Sequence, residues 1–442
     1  MQNKALKFKS ILLVISFLVL PGFSKAAPLI SAPTPSSVIS GQVVTVAGSG
    51  FGSKAVIAPI KFDDFQAGNN GDSVATHGWE IIGVPPIIST EFPRYGAKSA
   101  MHDFTDTAQW DSGYYLGGMF DSASRLGLDQ IYFSYYVYTK PLRTTSVLYN
   151  PASNYSVGDL VLWNNTGGDS KTMVWECQTA HTSSTPFDPA LEYYNNYTYW
   201  KPVYSRNVKY GRATSGTGSD ETRGNPQFNL LTQSENGGPS WSQGLNNGSD
   251  TNVFYSGDFF DPQGKLWPLT WHRIEVYVKL SSSAGATDGV RQYFSDGKEI
   301  KREENVATLT GIDNDPHFNT VFSPYYVSHE HGLPGDLWPV MPVQYKIFTS
   351  DFYVDKTRAR VEIGNASTFA NCTHREIQIP QTTWNDGQLE IKVNQGSFAD
   401  GATAYLYVVD EDGSVNAVGY PITFDGILDT TAPSAPSGLS VL

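Results

Sequence analysis

The sequence is poor in cysteine and in charge, and it has no long apolar run after its first twenty residues. Only Cys177 and Cys372 occur among its 442 residues, too few for a disulfide framework or a cysteine-based zinc site. We expect both to be buried and unbridged, because cysteine outside disulfides is among the most buried residue types. No amphipathic helix pattern follows residue 27, and no later segment approaches the roughly 20 apolar residues of a membrane span.

What the sequence does contain favours β-structure. It has 25 Tyr, 23 Phe, 10 Trp and 41 Gly, and only 17% of its residues are charged. Apolar and polar residues alternate with period two, most clearly in 130–137 and 271–278, which is the pattern of half-buried strands. Asp296-Gly297 between two such segments is the signal of a tight hairpin. We therefore predict an all-β protein.

Charge and the N-terminus restrict partner and compartment. There are 43 acidic and 30 basic residues, a formal net charge of -13, which disfavours nucleic acid and anionic membranes as partners. Lys4, Lys7 and Lys9 precede the short apolar run 11–20, and small residues follow it. This pattern is typical of a secretory signal peptide over residues 1–26. We expect a mature N-terminus near Ala27 and an extracellular or cell-surface location.

Segments near the two ends of the mature chain both have the pattern of short strands. Residues 41–52, ending in Gly-Ser-Gly-Phe-Gly, resemble the first strands of an immunoglobulin-like IPT/TIG module. Segments 360–364, 375–380, 384–393 and 403–409 resemble its later strands. Neither half has enough strands to close a sandwich, so we predict one split domain, 27–58 plus 357–425, with a linker-like tail, 426–442. Two separate small β modules are the alternative.

The region between the halves has two parts. Segments 61–65, 271–278, 292–298 and 350–355 resemble those of a laminin-G or concanavalin-A-like jelly roll, predicted over 60–148 plus 205–355. Residues 149–204 interrupt it and resemble the chitin-binding module of bacterial chitinases, with Tyr155, Gly158-Asp159, Trp175, Cys177 and Trp200 in order. The predicted fold class is thus a concanavalin-A-like jelly-roll sandwich inserted in an immunoglobulin-like sandwich, with a small β carbohydrate-binding-like lobe.

Two sets of residues are candidates for ligand binding. Flat aromatic side chains stack on sugar rings with little loss of rotamer freedom. In the lobe the candidates are Trp163, Trp175, Tyr193, Tyr194, Tyr197 and Trp200. The alternative for Tyr155, Trp175 and Trp200 is that a module this small needs them as its core. On the jelly roll, a concave face is predicted to carry Arg273, Tyr277, Arg291 and Tyr293.

Catalytic and metal patterns are weak. The sequence lacks the paired glutamates of laminarinase-type glycosidases and the Arg-x-Glu-x-x-Arg and Gln-x-His strands of alginate-lyase-type enzymes. Arg212, Glu221 and Arg223 flank a Gly/Ser-rich loop, and His329-Glu330-His331 is interpreted as a solvated turn. We predict no catalytic residue, no metal ligand and no cofactor. A structural calcium ion at Asp313-Asn314-Asp315 is an alternative.

These observations favour a secreted glycan-binding or adhesive surface protein that recognises a chitin-like or other neutral polysaccharide by aromatic stacking. One alternative is an extracellular polysaccharide lyase or glycoside hydrolase on the jelly roll. Another is a structural subunit of an extracellular filament or matrix.

Overall fold

The computed structural model describes residues 26–105, 114–121, 127–141, 147–164, 172–183, 198–202, 207–215, 227–232, 239–244, 253–256, 266, 269–309, 315–324, 326–328 and 345–425. Residues 1–25 of the predicted signal peptide and the linker-like tail lie outside these residues. The described part is almost entirely β-structure with two short 3-10 turns, Val74–His77 and Phe369–Asn371, so the predicted all-β class is confirmed. Its helices are too short and too polar to cross a membrane.

The strands are numbered in chain order. They are β1 (Leu29–Thr34), β2 (Ser37–Val38), β3 (Val43–Ser49), β4 (Lys61–Asp63), β5 (Glu80–Gly83), β6 (Ile87–Ser89), β7 (Ser99–Asp103), β8 (Tyr114–Asp121), β9 (Gln130–Pro141), β10 (Asn154–Tyr155), β11 (Leu160–Asn164), β12 (Thr172–Cys177), β13 (His181–Thr182), β14 (Trp200–Pro202), β15 (Asn207–Thr214), β16 (Gln227–Thr232), β17 (Pro239–Gly244), β18 (Val253–Ser256), β19 (Trp271–Lys279), β20 (Gly289–Ser295), β21 (Lys298–Val306), β22 (Thr320–Phe322), β23 (Tyr326–Ser328), β24 (Tyr345–Asp355), β25 (Arg360–Gly364), β26 (Arg375–Ile377), β27 (Ile379–Asn385), β28 (Gln388–Lys392), β29 (Thr403–Val409) and β30 (Tyr420–Phe424).

Two large sheets pack face to face in the middle of the chain. The first, called the β15 sheet, has the order β18-β17-β16-β15-β22-β8-β23, with β5 paired to β8. The second, called the β9 sheet, has the order β21-β20-β19-β9-β24-β7-β6, with β4 paired to β24. Phe133 and Val276 of the β9 sheet and Phe228, Leu230 and Val321 of the β15 sheet are buried in one core. The period-two alternation therefore sends one side of each strand into this core.

Strands from the two ends of the chain form two smaller sheets, β1-β3-β28-β27 and β2-β30-β29-β25-β26. Val46 lies opposite Leu389, and Ser37 lies opposite Thr423 in a parallel pair. Val46 and Leu389 share one buried cluster with Val361 and Leu406. We call these two sheets the terminal sandwich. That it is an IPT/TIG module stays a prediction.

The Asp-Gly hairpin forms as its sequence indicates. β20 and β21 pair antiparallel, with Ser295 opposite Lys298. Asp296 and Gly297 between them both have positive φ, 50° and 79°. This left-handed pair is what a tight two-residue turn requires.

The segment 149–202 contributes two small sheets, β10-β13 and β11-β12-β14. Cys177 lies in β12 and Cys372 follows the second 3-10 turn; both are buried, and neither forms a disulfide. The buried residues of this segment, called the lobe below, are continuous with the core between the large sheets.

Candidate functional site

The lobe uses two of the predicted stacking residues as core. Trp175 is 0% exposed and Trp200 is 2% exposed. The Trp200 ring packs edge-on against Tyr149 and Tyr155, with centroids 5.6 and 4.8 Å away. The prediction that Trp175 and Trp200 stack on a glycan is thereby corrected, because a buried ring has no free face. A lobe this small needs its largest side chains for its own core.

The side chains of the other candidates in the lobe lie outside the described part of the chain. Trp163 lies in β11, and its side chain is outside the described part. Tyr193, Tyr194 and Tyr197 are also outside the described residues. Tyr199, which is 42% exposed, has its ring 4.7 Å from that of His181. Among the described residues of the lobe, it is the aromatic side chain that is more than a third exposed.

The four candidates on the jelly roll do not share a face. Tyr293 lies opposite Val276 and Arg291 opposite Val278, so both belong to the core-facing side of the β9 sheet. Arg273 and Tyr277 alternate with Val276 and point to the other side. All four are buried. The prediction of one concave ligand face carrying these four residues is therefore wrong. In the pairing of β19 with β20, Tyr277 lies opposite Gln292, so Arg291 and Tyr293 point to the other side of the sheet.

Arg273 instead belongs to a buried ion network between the β9 sheet and the terminal sandwich. Its guanidinium lies 3.1 Å from the Glu362 carboxylate, which also pairs with Arg360 at 2.6 Å and Arg375 at 2.7 Å. Glu275, from the same strand as Arg273, pairs with Arg375 at 3.0 Å and Arg360 at 3.3 Å. Burial alone would raise the pKa of Glu362, but the three guanidinium groups hold it well below its ordinary value.

A second network lies beside the first. Arg94 bridges Asp351 of the β9 sheet and Glu376 of the terminal sandwich, both at 2.7 Å. Its guanidinium also lies over the ring of Tyr136, 3.6 Å from the centroid. Burial would raise the pKa of Glu376, but Arg94 and the hydrogen bond from His374 lower it to about 2. These ion pairs join the β9 sheet to the terminal sandwich, so the charged side chains that form them are paired with one another.

The outer side of the β15 sheet carries a basic pair that the sequence pattern did not reveal. Ala213 lies opposite Phe228 and Gly211 opposite Leu230, both buried core residues, so Arg212 between them is on the outer side. Lys209 lies opposite Leu231, because the register shifts by one residue between Lys209 and Gly211. This bulge puts residues 209 and 212 on the same side, whereas residues three apart on a regular strand face opposite sides.

Arg212, which the sequence places beside a Gly/Ser-rich loop, lies within β15, two residues before that strand ends at Thr214. The signal that could have located the bulge is Gly211 inside a strand pattern, since an isolated strand glycine often marks a bulge or a close approach. Both apply here, because a Cβ on Gly211 would lie 3.0 Å from the Phe133 ring of the facing sheet.

The basic pair is chemically unusual. Burial, and then the nearby positive charge of Arg212, lower the pKa of Lys209 to about 7. Arg212 and Phe322, its register neighbour on β22, are buried, whereas Lys209 is partly exposed, so Lys209 is the member of the pair that solvent reaches more readily. Tyr326 on β23 lies opposite Lys209. Lys209 therefore exchanges a proton near neutral pH beside a permanent cation.

Metal ligands do not cluster in the described part of the chain. Asp315, one residue of the alternative calcium site, accepts hydrogen bonds from His317 at 2.7 Å and Asn319 at 2.6 Å. Asp313 and Asn314 lie outside the described residues, as do Glu221, Arg223 and His329-Glu330-His331.

No known family model matches this chain, and no curated protein matches it in sequence. Solved structures similar to it include polysaccharide lyases and lectins. An endo-beta-1,4-glucuronan lyase from the fungus Trichoderma reesei has 13% identity and a TM-score of 0.34, over 68% of this chain and 96% of that chain. The alginate lyase Aly36B has 12% identity and a TM-score of 0.34, over 68% and 98%. Winged bean acidic lectin has 6% identity and a TM-score of 0.23, over 67% and 99%.

Proposed function

We propose that the protein is an exported polysaccharide-binding protein whose β15 sheet binds an acidic glycan on its outer side. The observation that carries the proposal is the bulge that brings Lys209 and Arg212 to the same side of that sheet, with Lys209 partly exposed. The chain as a whole has a formal charge of -13, whereas these two neighbouring side chains are both basic. A polyanion is repelled by most of such a surface and attracted to this pair.

The two side chains have complementary roles in this proposal. The planar guanidinium of Arg212 matches the geometry of a uronate carboxylate and can donate two parallel hydrogen bonds. Lys209 adds a second positive charge when it is protonated. Because its pKa is about 7, its contribution is greatest below that pH and falls as pH rises through it. A bound carboxylate raises this pKa and extends the window upward.

The test is the retention of the full mature chain on immobilised alginate and polygalacturonate. Arg212→Gln is expected to weaken binding by at least tenfold, since it removes a fixed charge and a fork of donors. Lys209→Met is expected to weaken binding at pH 6 and to flatten its pH dependence near 7. The matched control is Arg302→Gln, which removes an arginine 41% exposed at its side chain from the β20–β21 hairpin. Thermal melting checks that each variant is folded, and equal retention of Arg212→Gln and Arg302→Gln would contradict the proposal.

A second candidate function, β-elimination at a uronate, is favoured by the lowered pKa of Lys209. A neutral amine at pH 7 can act as a base, and the best catalytic pKa lies near the working pH. Arg212 would neutralise the carboxylate and Lys209 would take the proton on C5. The C4–O bond then breaks, leaving a C4–C5 double bond and a glycan that receives a proton. Ultraviolet absorbance of the unsaturated product, lost in Lys209→Met, tests this candidate.

Aromatic contact from the lobe is the remaining part of the proposal. The exposed Tyr199 beside His181 supports it, and Tyr193, Tyr194 and Tyr197, which lie outside the described residues, stay candidates. A chitin-like ligand and an adhesive role stay predictions. Retention of Tyr199→Ala on chitin and cellulose, with thermal melting as a check of folding, tests the former.

A further inference from the structure

A cavity of about 400 Å³ lies where the β9 sheet meets the terminal sandwich. Tyr136, Trp271 and Asp296 line it from the sheet side, and Thr373, His374 and Ser397 line it from the sandwich side. Its volume is in the range of small-molecule sites, roughly 300–1,000 Å³. We call it the crevice. It is separate from the basic pair, because it lies on the covered side of the other large sheet.

The cations that border the crevice are already matched by carboxylates. Arg273 and Arg375 belong to the network of Glu275 and Glu362. Arg94 is held between Asp351 and Glu376, and the latter also accepts a hydrogen bond from His374, 2.9 Å away. An anionic ligand would thus find no uncompensated positive charge among the side chains lining the crevice. The crevice therefore disfavours an acidic sugar.

One aromatic ring in the crevice keeps a usable surface. Trp271 is partly exposed, and its ring is positioned by Tyr138 at 5.5 Å and Phe92 at 6.5 Å between centroids. Tyr136 is different, since the Arg94 guanidinium covers its ring. A fixed indole binds a sugar ring through its flat face with little loss of conformational freedom.

The polar groups around Trp271 are fixed as well. The Asp296 carboxylate, 40% exposed, accepts hydrogen bonds from the Arg273 amide and the His272 ring, each at 2.8 Å. A carboxylate has about four acceptor positions, so it can still accept from ligand hydroxyls. Ser397 and Thr373 add hydroxyl groups at exposed positions. An indole face beside a fixed carboxylate and hydroxyls suits a polyhydroxylated ring.

We propose that the crevice binds an uncharged sugar unit, with Trp271 stacking on the ring and Asp296 accepting from its hydroxyls. The ion networks keep the two walls in place, so the site is preformed and little ordering is needed on binding. The protein would then hold two chemically different glycan sites, the basic pair for acidic chains and the crevice for neutral units.

Calorimetric titration of the full mature chain with cellotriose, chitotriose and trigalacturonate tests this proposal. We expect a neutral trisaccharide to bind with an affinity that does not change with salt concentration. Trp271→Ala should weaken that binding at least fivefold, while Tyr405→Ala, which removes an aromatic ring outside the crevice, should not.

A second pair of variants keeps the test sound if Trp271→Ala unfolds. Thr373→Trp fills the crevice from an exposed position and should abolish binding. Thr382→Trp adds the same side chain at an exposed position of β27 and should leave binding intact. Absence of neutral-sugar binding in the wild type, equal binding by Thr373→Trp and Thr382→Trp, or preferential binding of trigalacturonate lost in Thr373→Trp would each overturn the proposal.

Discussion

Replacing Glu362 by Gln should be among the most destabilising single changes in the described chain. Its two carboxylate oxygens meet Arg360 at 2.6 Å, Arg375 at 2.7 Å and Arg273 at 3.1 Å, and it is fully buried. The amide keeps the shape but removes the charge and turns one acceptor into a donor that faces a guanidinium. Removing one partner of a buried ion pair costs about 3–5 kcal/mol, because the other charge stays buried without compensation. Here three arginines would be left with Glu275 as their shared carboxylate.

Urea unfolding followed by tryptophan fluorescence measures the loss. The matched control is Glu299→Gln in the β20–β21 hairpin, whose carboxylate pairs with Arg302 at 2.9 Å in solvent. That pair should be worth about 0–1 kcal/mol. The pKa of Glu362 is lowered in the folded state, so its stabilising contribution is complete above the ordinary Glu pKa of about 4.3 and declines as pH falls below it. The difference between wild type and Glu362→Gln should shrink in acid. If Glu362→Gln is no less stable than Glu299→Gln at pH 7, the reasoning about the interface is refuted.

Two further predictions concern backbone and core. Gly396→Ala should lower the urea midpoint far more than Gly401→Ala. Both glycines have positive φ, 57° and 77°, so the backbone strain is similar in the two variants. A Cβ on Gly396 would lie 2.1 Å from the Glu376 carboxyl carbon, whereas a Cβ on Gly401 would have no atom beyond the adjacent residues within 4 Å. Equal midpoints would mean that Glu376 moves aside freely. Trp175→Ala should destabilise the chain by about 3–5 kcal/mol as a buried aromatic, while Tyr199→Ala should change stability by less than about 1 kcal/mol. A folded Trp175→Ala chain with wild-type stability would contradict the core assignment.

The sequence predicted the strand class because alternation is a local property. In β19 it correctly separated Ile274, Val276 and Val278 from Arg273, Glu275 and Tyr277. It did not say what covers the second set, because that depends on residues about a hundred positions later, such as Glu362 and Arg375. It also assigned Arg291 and Tyr293 to the wrong side, since parity between strands is fixed by the hairpin register, with Ser295 opposite Ile274.

The basic pair illustrates a second limit. Strict alternation places residues 209 and 212 on opposite sides, and only the extra residue in β15 reverses this. A bulge reverses the side to which all later residues of a strand point. A prediction from strict period-two alternation therefore misses a site that spans the bulge, and an isolated glycine within the strand is the signal for it. In the lobe the opposite occurs. The sequence pattern identifies Trp175 and Trp200 as notable residues, but the structure buries both in the core.

The distribution of arginine bears on how an acidic chain could hold an acidic glycan. Arg94, Arg273, Arg360 and Arg375 pair with buried carboxylates, so they are not available to contact an approaching polyanion. Repulsion from the overall charge of -13 acts at long range and is screened first, since the Debye length is about 10 Å at 0.1 M salt. Contacts with Lys209, which is partly buried, and Arg212, which is buried, act at short range and are screened less. Retention on alginate should therefore rise from very low to moderate salt before it falls, whereas a site driven by a broadly basic surface would weaken continuously from the lowest salt concentration.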